Sequence, residues 1–294
     1  MSNYNFIQLN NENIGHLYTL YELVYQKKCA DNLFDYKYET QNYKRKSIGI
    51  IAMHNNQPVG FYGIVSMMFS INREAVQGGQ VCDNMIHPEY RSAKLFVELG
   101  KQSLALANTN GIHFVIGFPN QNSYLASVKL LGFEYLEMMN RYEIHFSKSL
   151  FKRLNNKLKL IRFKKSYHTI ENSLINEGFD GVIYGSNFIN YKSFHNNKLI
   201  QSNQFTFWVN YTNQLWLGAI SKHNDNTYDN LIETLEKTFK KPSLTYIVSG
   251  GTKINEYLEK KYQAQKGFPV LVKNLSNKYS LTNLKFQFCD NDIF

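Results

Sequence analysis

The sequence predicts an α/β fold: two mixed sheets in tandem, each flanked by helices. Three observations carry this. Strand-like apolar runs alternate with helix-spaced apolar faces along the 294-residue chain. The first half orders them as strands followed by strand–helix–strand–helix–strand, a mixed layout. The second half repeats that order with different residues, and two domains fit this length better than one.

The elements follow in turn. Residues 6–9 read as a short strand. Ile14, Leu17, Tyr18, Tyr21, Val24 and Tyr25 then take the spacing of an amphipathic helix. Strands over residues 48–54 and 59–69 are joined by the polar turn Asn55-Asn56-Gln57-Pro58. A third strand over 80–86 runs into a basic turn. The helix after it aligns Leu95, Phe96, Leu99, Leu106 and Ala107, and stops at Asn110-Gly111. Residues 112–117 form a short apolar strand, 122–131 a helix and 133–146 a long strand.

In the second half, residues 205–211 and 215–220 read as a hairpin. Tyr228, Leu231, Ile232, Leu235 and Phe239 mark a helix, and 244–248 a strand. Ile254, Tyr257 and Leu258 mark another helix, followed by strands near 270–273 and 285–288. This gives domains over 1–147 and 166–294, joined by a basic segment, 148–165. That segment holds eight Lys or Arg residues and no acid. It reads either as a helix at a membrane surface or anion, or as a solvated connection.

Composition narrows the classes. The chain is 43% hydrophobic, with 21 Phe and 21 Tyr to fill a core. Cys29, Cys82 and Cys289 are widely spaced and suggest neither a disulfide framework nor a metal site. No stretch is long enough to span a bilayer, and the N-terminus lacks a basic start followed by an apolar run. The cytoplasm is the simplest compartment, with weak membrane-surface contact left open by 148–165. Net charge is +10. The basic residues are dispersed without a nucleic-acid motif, and an enzyme handling two polyanionic small molecules would benefit equally from a positive field. Charge alone does not decide, and no nucleic-acid partner is expected.

The chemistry concentrates at Val81-Cys82-Asp83-Asn84-Met85-Ile86-His87-Pro88-Glu89-Tyr90-Arg91-Ser92-Ala93-Lys94-Leu95-Phe96. A strand here enters a helix whose first N–H groups and an arginine converge, the arrangement of an anion site, most often for phosphate. Further on come Phe118-Pro119-Asn120-Gln121-Asn122-Ser123-Tyr124 and Leu131-Gly132-Phe133.

The order of these segments resembles the acyl-CoA-binding core of the GNAT superfamily. The fold implied is a tandem pair of GNAT-like mixed sheets, the second degenerate, since residues 221–226 lack an arginine-led anion turn. The resemblance implies acyl-CoA as co-substrate, with no tightly bound cofactor. Arg91, Ser92, Ala93, Lys94 and Leu95 would hold the pyrophosphate, although Lys94 and Phe96 stand where the family pattern has glycine or alanine. Met85 and Ile86 would line the pantetheine, with Asn120 and Asn122 bordering its thioester end. Many members carry a tyrosine four residues before the Gly of Gly132-Phe133; here it is Val128, which leaves Tyr124 as a substitute acid.

Amine acylation needs a neutral amine, a polarised carbonyl and a protonated leaving thiol. A backbone N–H near Asn84 would polarise the carbonyl, and Asp83 or His87 would accept the ammonium proton. Each also has an ordinary structural role: Asp83 as an anchor, His87 as a turn residue. Cys82 reads as a core cysteine.

Leu33-Phe34-Asp35-Tyr36-Lys37-Tyr38 is similar to the F-x-W-K-Y stretch of GNAT proteins encoded with surface-polysaccharide (O-antigen) genes. The resemblance implies transfer of an acyl group, acetyl or 3-hydroxybutyryl, to the amine of a nucleotide-linked sugar such as a dTDP-3-amino-3,6-dideoxyhexose. Tyr36, Tyr38, Trp208 and Tyr211 would then stack on sugar or base. The alternatives are N-acetylation of another amine (aminoglycoside, polyamine or protein lysine), or a non-catalytic CoA-binding or peripheral membrane module. Oligomeric state is left open.

Overall fold

The computed structural model describes residues 4–38, 47–146, 169–192, 197–202, 204–211, 214–223, 227–239 and 241–294. The contacts divide the chain into two units: Met1–Leu136 with Pro269–Thr282, and Glu137–Phe268 with Asn283–Phe294. Both differ from the division expected at residue 147. The first unit gives up most of the long strand after Gly132 and takes in residues from near the end of the chain. The basic segment 148–165 lies outside the described residues.

In the first unit, β1 (Asn5–Gln8), β2 (Ile48–His54), β3 (Gln57–Ile71) and β4 (Glu74–Ile86) pair antiparallel in succession. β5 (Phe114–Gly117) then joins β4 in parallel, and the last strand of the chain, β12 (Gln265–Asn274), pairs antiparallel with β5 through Leu271–Asn274. Side chains alternate across β3. Tyr62 and Ile64 face Leu95 and Leu99 of the helix α3 (Ala93–Thr109) in one buried cluster with Ile48, Ile50 and Ala52. Phe61 and Gly63 face the other way, towards Tyr38 of the helix α2 (Leu33–Tyr38), which follows α1 (Gly15–Tyr25).

Local chemistry sets the helix ends. The Ser92 hydroxyl accepts from the N–H of Leu95 at 3.2 Å and starts α3. The Asn120 carboxamide oxygen accepts from the N–H groups of Asn122 and Ser123 at 3.0 and 3.1 Å and starts α4 (Gln121–Leu131). Gly132 ends α4 in the left-handed conformation, so the Gly132-Phe133 pair is first of all a helix stop.

In the second unit the order is β6 (Glu134–His145), β11 (Ser243–Val248), β10 (Leu215–Lys222), β9 (Phe205–Tyr211) and β8 (Lys198–Ser202). β10 and β11 are parallel; the other neighbours in that order are antiparallel. The two-residue strand β7 (Gly181–Val182) and the helices α5 (Ser173–Asn176), α6 (Ser186–Lys192), α7 (Leu231–Phe239) and α8 (Lys253–Glu259) complete it. Leu231, Leu235 and Phe239 of α7 and Ile254 and Leu258 of α8 pack into one core with Phe205, Phe207 and Leu217.

Residues 285–288, expected as a strand, form none. Val248 and Gln287 make only an isolated bridge, and a 3-10 turn follows at Phe288–Asp290. The Gln287 side chain instead wedges between β10 and β11. Its Oε1 accepts from the N–H of Ile220 at 2.9 Å and from the Tyr246 hydroxyl at 2.7 Å. Backbone groups a continued ladder would have paired are thus satisfied by a side chain.

Candidate functional site

The site grows from a defect in β4. Its parallel pairing with β5 runs from Gly79↔Val115 to Val81↔Gly117, and β5 then ends while β4 continues to Ile86. Opposite β3 the register slips: Phe61 faces Met85 and Gly63 faces Cys82, so Asp83 and Asn84 together oppose Tyr62. This is a β-bulge. Its first residue, Asp83, holds a left-handed φ of 52°, which Asp tolerates better than most residues. Because β5 ends at Gly117, β4 runs on beyond Val81 without a strand partner on that side among the described residues. The bulge re-aims two consecutive polar side chains.

Asp83 points at α2. Both carboxylate oxygens accept from Lys37 Nζ, at 2.9 and 3.0 Å, and Oδ2 also accepts from the Tyr38 hydroxyl at 2.9 Å. Lys37 is 4% exposed, so its ion pair with Asp83 lies inside the protein. The Tyr38 hydroxyl also lies 3.3 Å from Cys82 Sγ. Burial first, then the neighbouring Asp83 carboxylate, pushes the Tyr38 pKa well above its ordinary range. Tyr38 therefore stays a donor. Gly63 allows this close approach, since a Cβ there would fall 2.0 Å from the Tyr38 oxygen. The Leu33–Tyr38 stretch is thus the clamp on Asp83. Tyr38 is buried rather than offered to a sugar, and Tyr36 beside it is half-buried.

Asn84, the next residue, turns to the α3 side. Met85 is buried, so its backbone rather than its thioether is available on the free run. His87 serves the turn: its Nδ1 accepts from the N–H of Glu89 at 3.3 Å. That role occupies one ring nitrogen of a residue expected as a proton acceptor.

Past the strand end, Arg91, Ser92, Ala93 and Lys94 are all exposed. The Ser92 hydroxyl takes the N–H of Leu95, while those of Ala93 and Lys94 precede any carbonyl a helical turn back and point outward. With the Arg91 and Lys94 charges and the positive end of α3, they are arranged as an anion-binding helix start would be, without glycine. Leu95 and Phe96 lie inward, Leu95 fully buried and Phe96 against Tyr62. Ile86 likewise packs against that core. On α4, Asn120 is spent as the cap, Asn122 is exposed, and Tyr124 packs against the first-unit core.

Two expected substrate contacts lie in the second unit. Trp208 is 1% exposed, enclosed by Tyr184, Phe188 and Phe294, and has no open face. Tyr211 is exposed, with Lys241 Nζ 4.2 Å from its ring centre and 2.7 Å from its hydroxyl. Sequence reading missed the Lys37–Asp83–Tyr38 clamp. Its signal was a lysine and tyrosine inside an otherwise apolar helix face.

Residues 5–135 match the family described as acetyltransferase (GNAT) domain. No curated protein matches the chain in sequence. Among solved structures, a conserved protein of Enterococcus faecalis V583, described as a probable N-acyltransferase, is similar at TM-score 0.67 and 11% identity, over 93% of this chain and 73% of that one. A GCN5-related N-acetyltransferase from Kribbella flavida is similar at TM-score 0.65 and 10% identity, over 93% and 71%. A tandem GNAT protein of the clavulanic acid biosynthesis pathway is similar at TM-score 0.55 and 9% identity, over 93% and 99%. The family match lies within the first unit, and the likeness to these solved structures, at 9–11% identity, is one of fold.

Proposed function

We propose that the chain transfers an acyl group, acetyl or 3-hydroxybutyryl, from acyl-CoA to the amine of a nucleotide-linked amino sugar. The observation that carries the transferase reading is the free run of β4 ending in the cationic start of α3. An extended thioester arm matches the first and a pyrophosphate the second. The sugar rests on the likeness of Leu33–Tyr38 to the polysaccharide-pathway proteins. The net charge of +10 suits two polyanionic substrates better than a polycationic acceptor.

In this reading the amine nitrogen attacks the thioester carbon directly. A backbone N–H near Asn84 and Met85 polarises the carbonyl, and Asp83 accepts the proton that the nitrogen loses as the carbon–nitrogen bond forms, then releases it to solvent. The carbon–sulfur bond breaks, and the thiolate takes a proton from the Tyr124 hydroxyl, which regains one from solvent. Holding amine and thioester together supplies much of the acceleration. Kinetics are sequential, and an acyl group trapped on Cys82 would sink the scheme.

The test is thiol release read with dithionitrobenzoate. Acetyl-CoA and 3-hydroxybutyryl-CoA are offered against dTDP- and UDP-amino sugars, an aminoglycoside and a polyamine. Release that depends on an amino sugar is expected. Release with the aminoglycoside or polyamine alone replaces the acceptor, and failure of CoA to bind removes the transferase reading.

A further inference from the structure

Asp83 stands in the bulge of β4 with its carboxylate held at three points. Lys37 Nζ donates to Oδ1 at 2.9 Å and to Oδ2 at 3.0 Å, and the Tyr38 hydroxyl donates to Oδ2 at 2.9 Å. An ionised carboxylate offers about four lone-pair positions, two on each oxygen. Among the described residues, Oδ2 therefore has both positions taken and Oδ1 has one left. The Asp83 side chain keeps 15% of its surface exposed against 4% for Lys37, so the carboxylate is the half of the pair that a substrate can still reach.

The clamp is supported from behind. The Tyr38 hydroxyl has a single proton, and a carboxylate accepts it more strongly than a thiol does. That proton goes to Asp83, and the hydroxyl oxygen takes the thiol proton of Cys82, whose Sγ lies 3.3 Å away. Cys82, Tyr38 and Asp83 thus form a chain of hydrogen bonds with one direction. The Tyr38 ring is set edge-on against Phe61, 5.4 Å between centres, and its hydroxyl uses the room left by Gly63. The carboxylate cannot rotate without breaking a buried hydrogen bond.

A general base works through one acceptor atom in a set place. We propose that Lys37 and Tyr38 are positioning residues for proton transfer: they occupy Oδ2 and present Oδ1 as the atom of Asp83 that takes the proton of the acceptor amine. The inference rests on the reading of Asp83 as proton acceptor, and it names how the protein aims that group. As the carbon–nitrogen bond forms, the N–H bond breaks, its electron pair stays on nitrogen, and the proton passes to Oδ1 and then to solvent.

Steady-state kinetics with acetyl-CoA and a dTDP-3-amino-3,6-dideoxyhexose, read as thiol release, test it. Tyr38→Phe keeps the ring and its packing but leaves Oδ2 one donor short. Its kcat is expected to fall roughly ten- to hundredfold, about the worth of one hydrogen bond to a charged group, with both KM values within about twofold of the parent. In an Asp83→Asn background the same change should cost nothing further, because the atom being aimed is gone. Lys37→Met should lower kcat at least as much as Tyr38→Phe, and Tyr38→Phe alone carries the test where Lys37→Met fails to fold. Unchanged kcat in Tyr38→Phe, a loss seen in KM alone, or losses that add in the double variant would overturn the inference and leave Asp83 as the base. Full activity of Asp83→Asn, or no turnover by the parent, would instead remove the reading beneath it, and the inference with it.

Discussion

The two units carry the same device in opposite states. In each, a strand that pairs in parallel with its neighbour is bulged: β4 at Asp83–Asn84 and β10 at Gly218, between Leu217 and Ala219. In the first unit the bulge holds polar side chains, and the strand beyond Val81 has no β5 partner. In the second, a Cβ on Gly218 would fall 2.1 Å from the Phe294 ring, and the gap past the last parallel pair is closed by Gln287. The Ser173 hydroxyl caps the carbonyl of Ile220 at 2.8 Å from the other side. A strand defect is a ligand site only while the protein leaves its backbone unspent. The second unit has spent it on its own chain.

This contrast can be broken from either side. The largest effect is expected for Asp83→Ala, which takes from the buried Lys37 ammonium a carboxylate that accepts from it at 2.9 and 3.0 Å. The cost is about 3–5 kcal/mol, measured as a shift in the urea unfolding midpoint. A loss under about 1 kcal/mol would mean that the Lys37 charge is compensated without Asp83. Next is Gln287→Ala, which strips a partner from the N–H of Ile220 and the hydroxyl of Tyr246. The cost is about 1–3 kcal/mol by the same assay, with CoA affinity unchanged because the site proposed for CoA lies in the first unit.

The smallest concerns Asp290, which accepts from the N–H of Gln287 at 2.7 Å. Burial pushes its carboxyl up to about 7, against the Gln287 N–H and the nearby Tyr184, Lys192 and Cys289. A carboxyl raised on folding binds its proton more tightly in the folded state. Its contribution is fully present below about pH 4 and is lost as pH rises through about 7. The parent should therefore lose on the order of 1 kcal/mol more than Asp290→Asn between pH 6.5 and 8. Parallel pH curves for the two would show that Asp290 is already ionised across that range.

What the sequence revealed and what it hid follow from range. The strands at residues 48–54 and 205–211, and the helices opened by Ser92 and Asn120, were legible because periodicity and caps act over a few residues. The helix start after Arg91 was legible despite Lys94 and Phe96, because a capped helix N-terminus is set by the local chain around Ser92. The clamp was not, since Lys37 and Asp83 are 46 positions apart and nothing local announces their pairing. Trp208 was misplaced for a related reason: an aromatic that stacks on a ligand and one that fills a core look alike until neighbours such as Tyr184 and Phe294 are known. Residues 285–288 have strand-like composition, but Gln287 is used for its side chain.

The return of Pro269–Thr282 to the first unit has a consequence for synthesis. β5 lies between β4 and residues that leave the ribosome some 150 positions later. At about 5–20 residues per second, that edge waits roughly 8–30 seconds for Leu271–Asn274. During this interval Phe114–Gly117 presents an uncovered apolar strand edge, the kind that recruits other chains. The nascent chain therefore either holds its first half partly unfolded or depends on a chaperone to shield it. A gene cut after residue 147 would make that interval permanent.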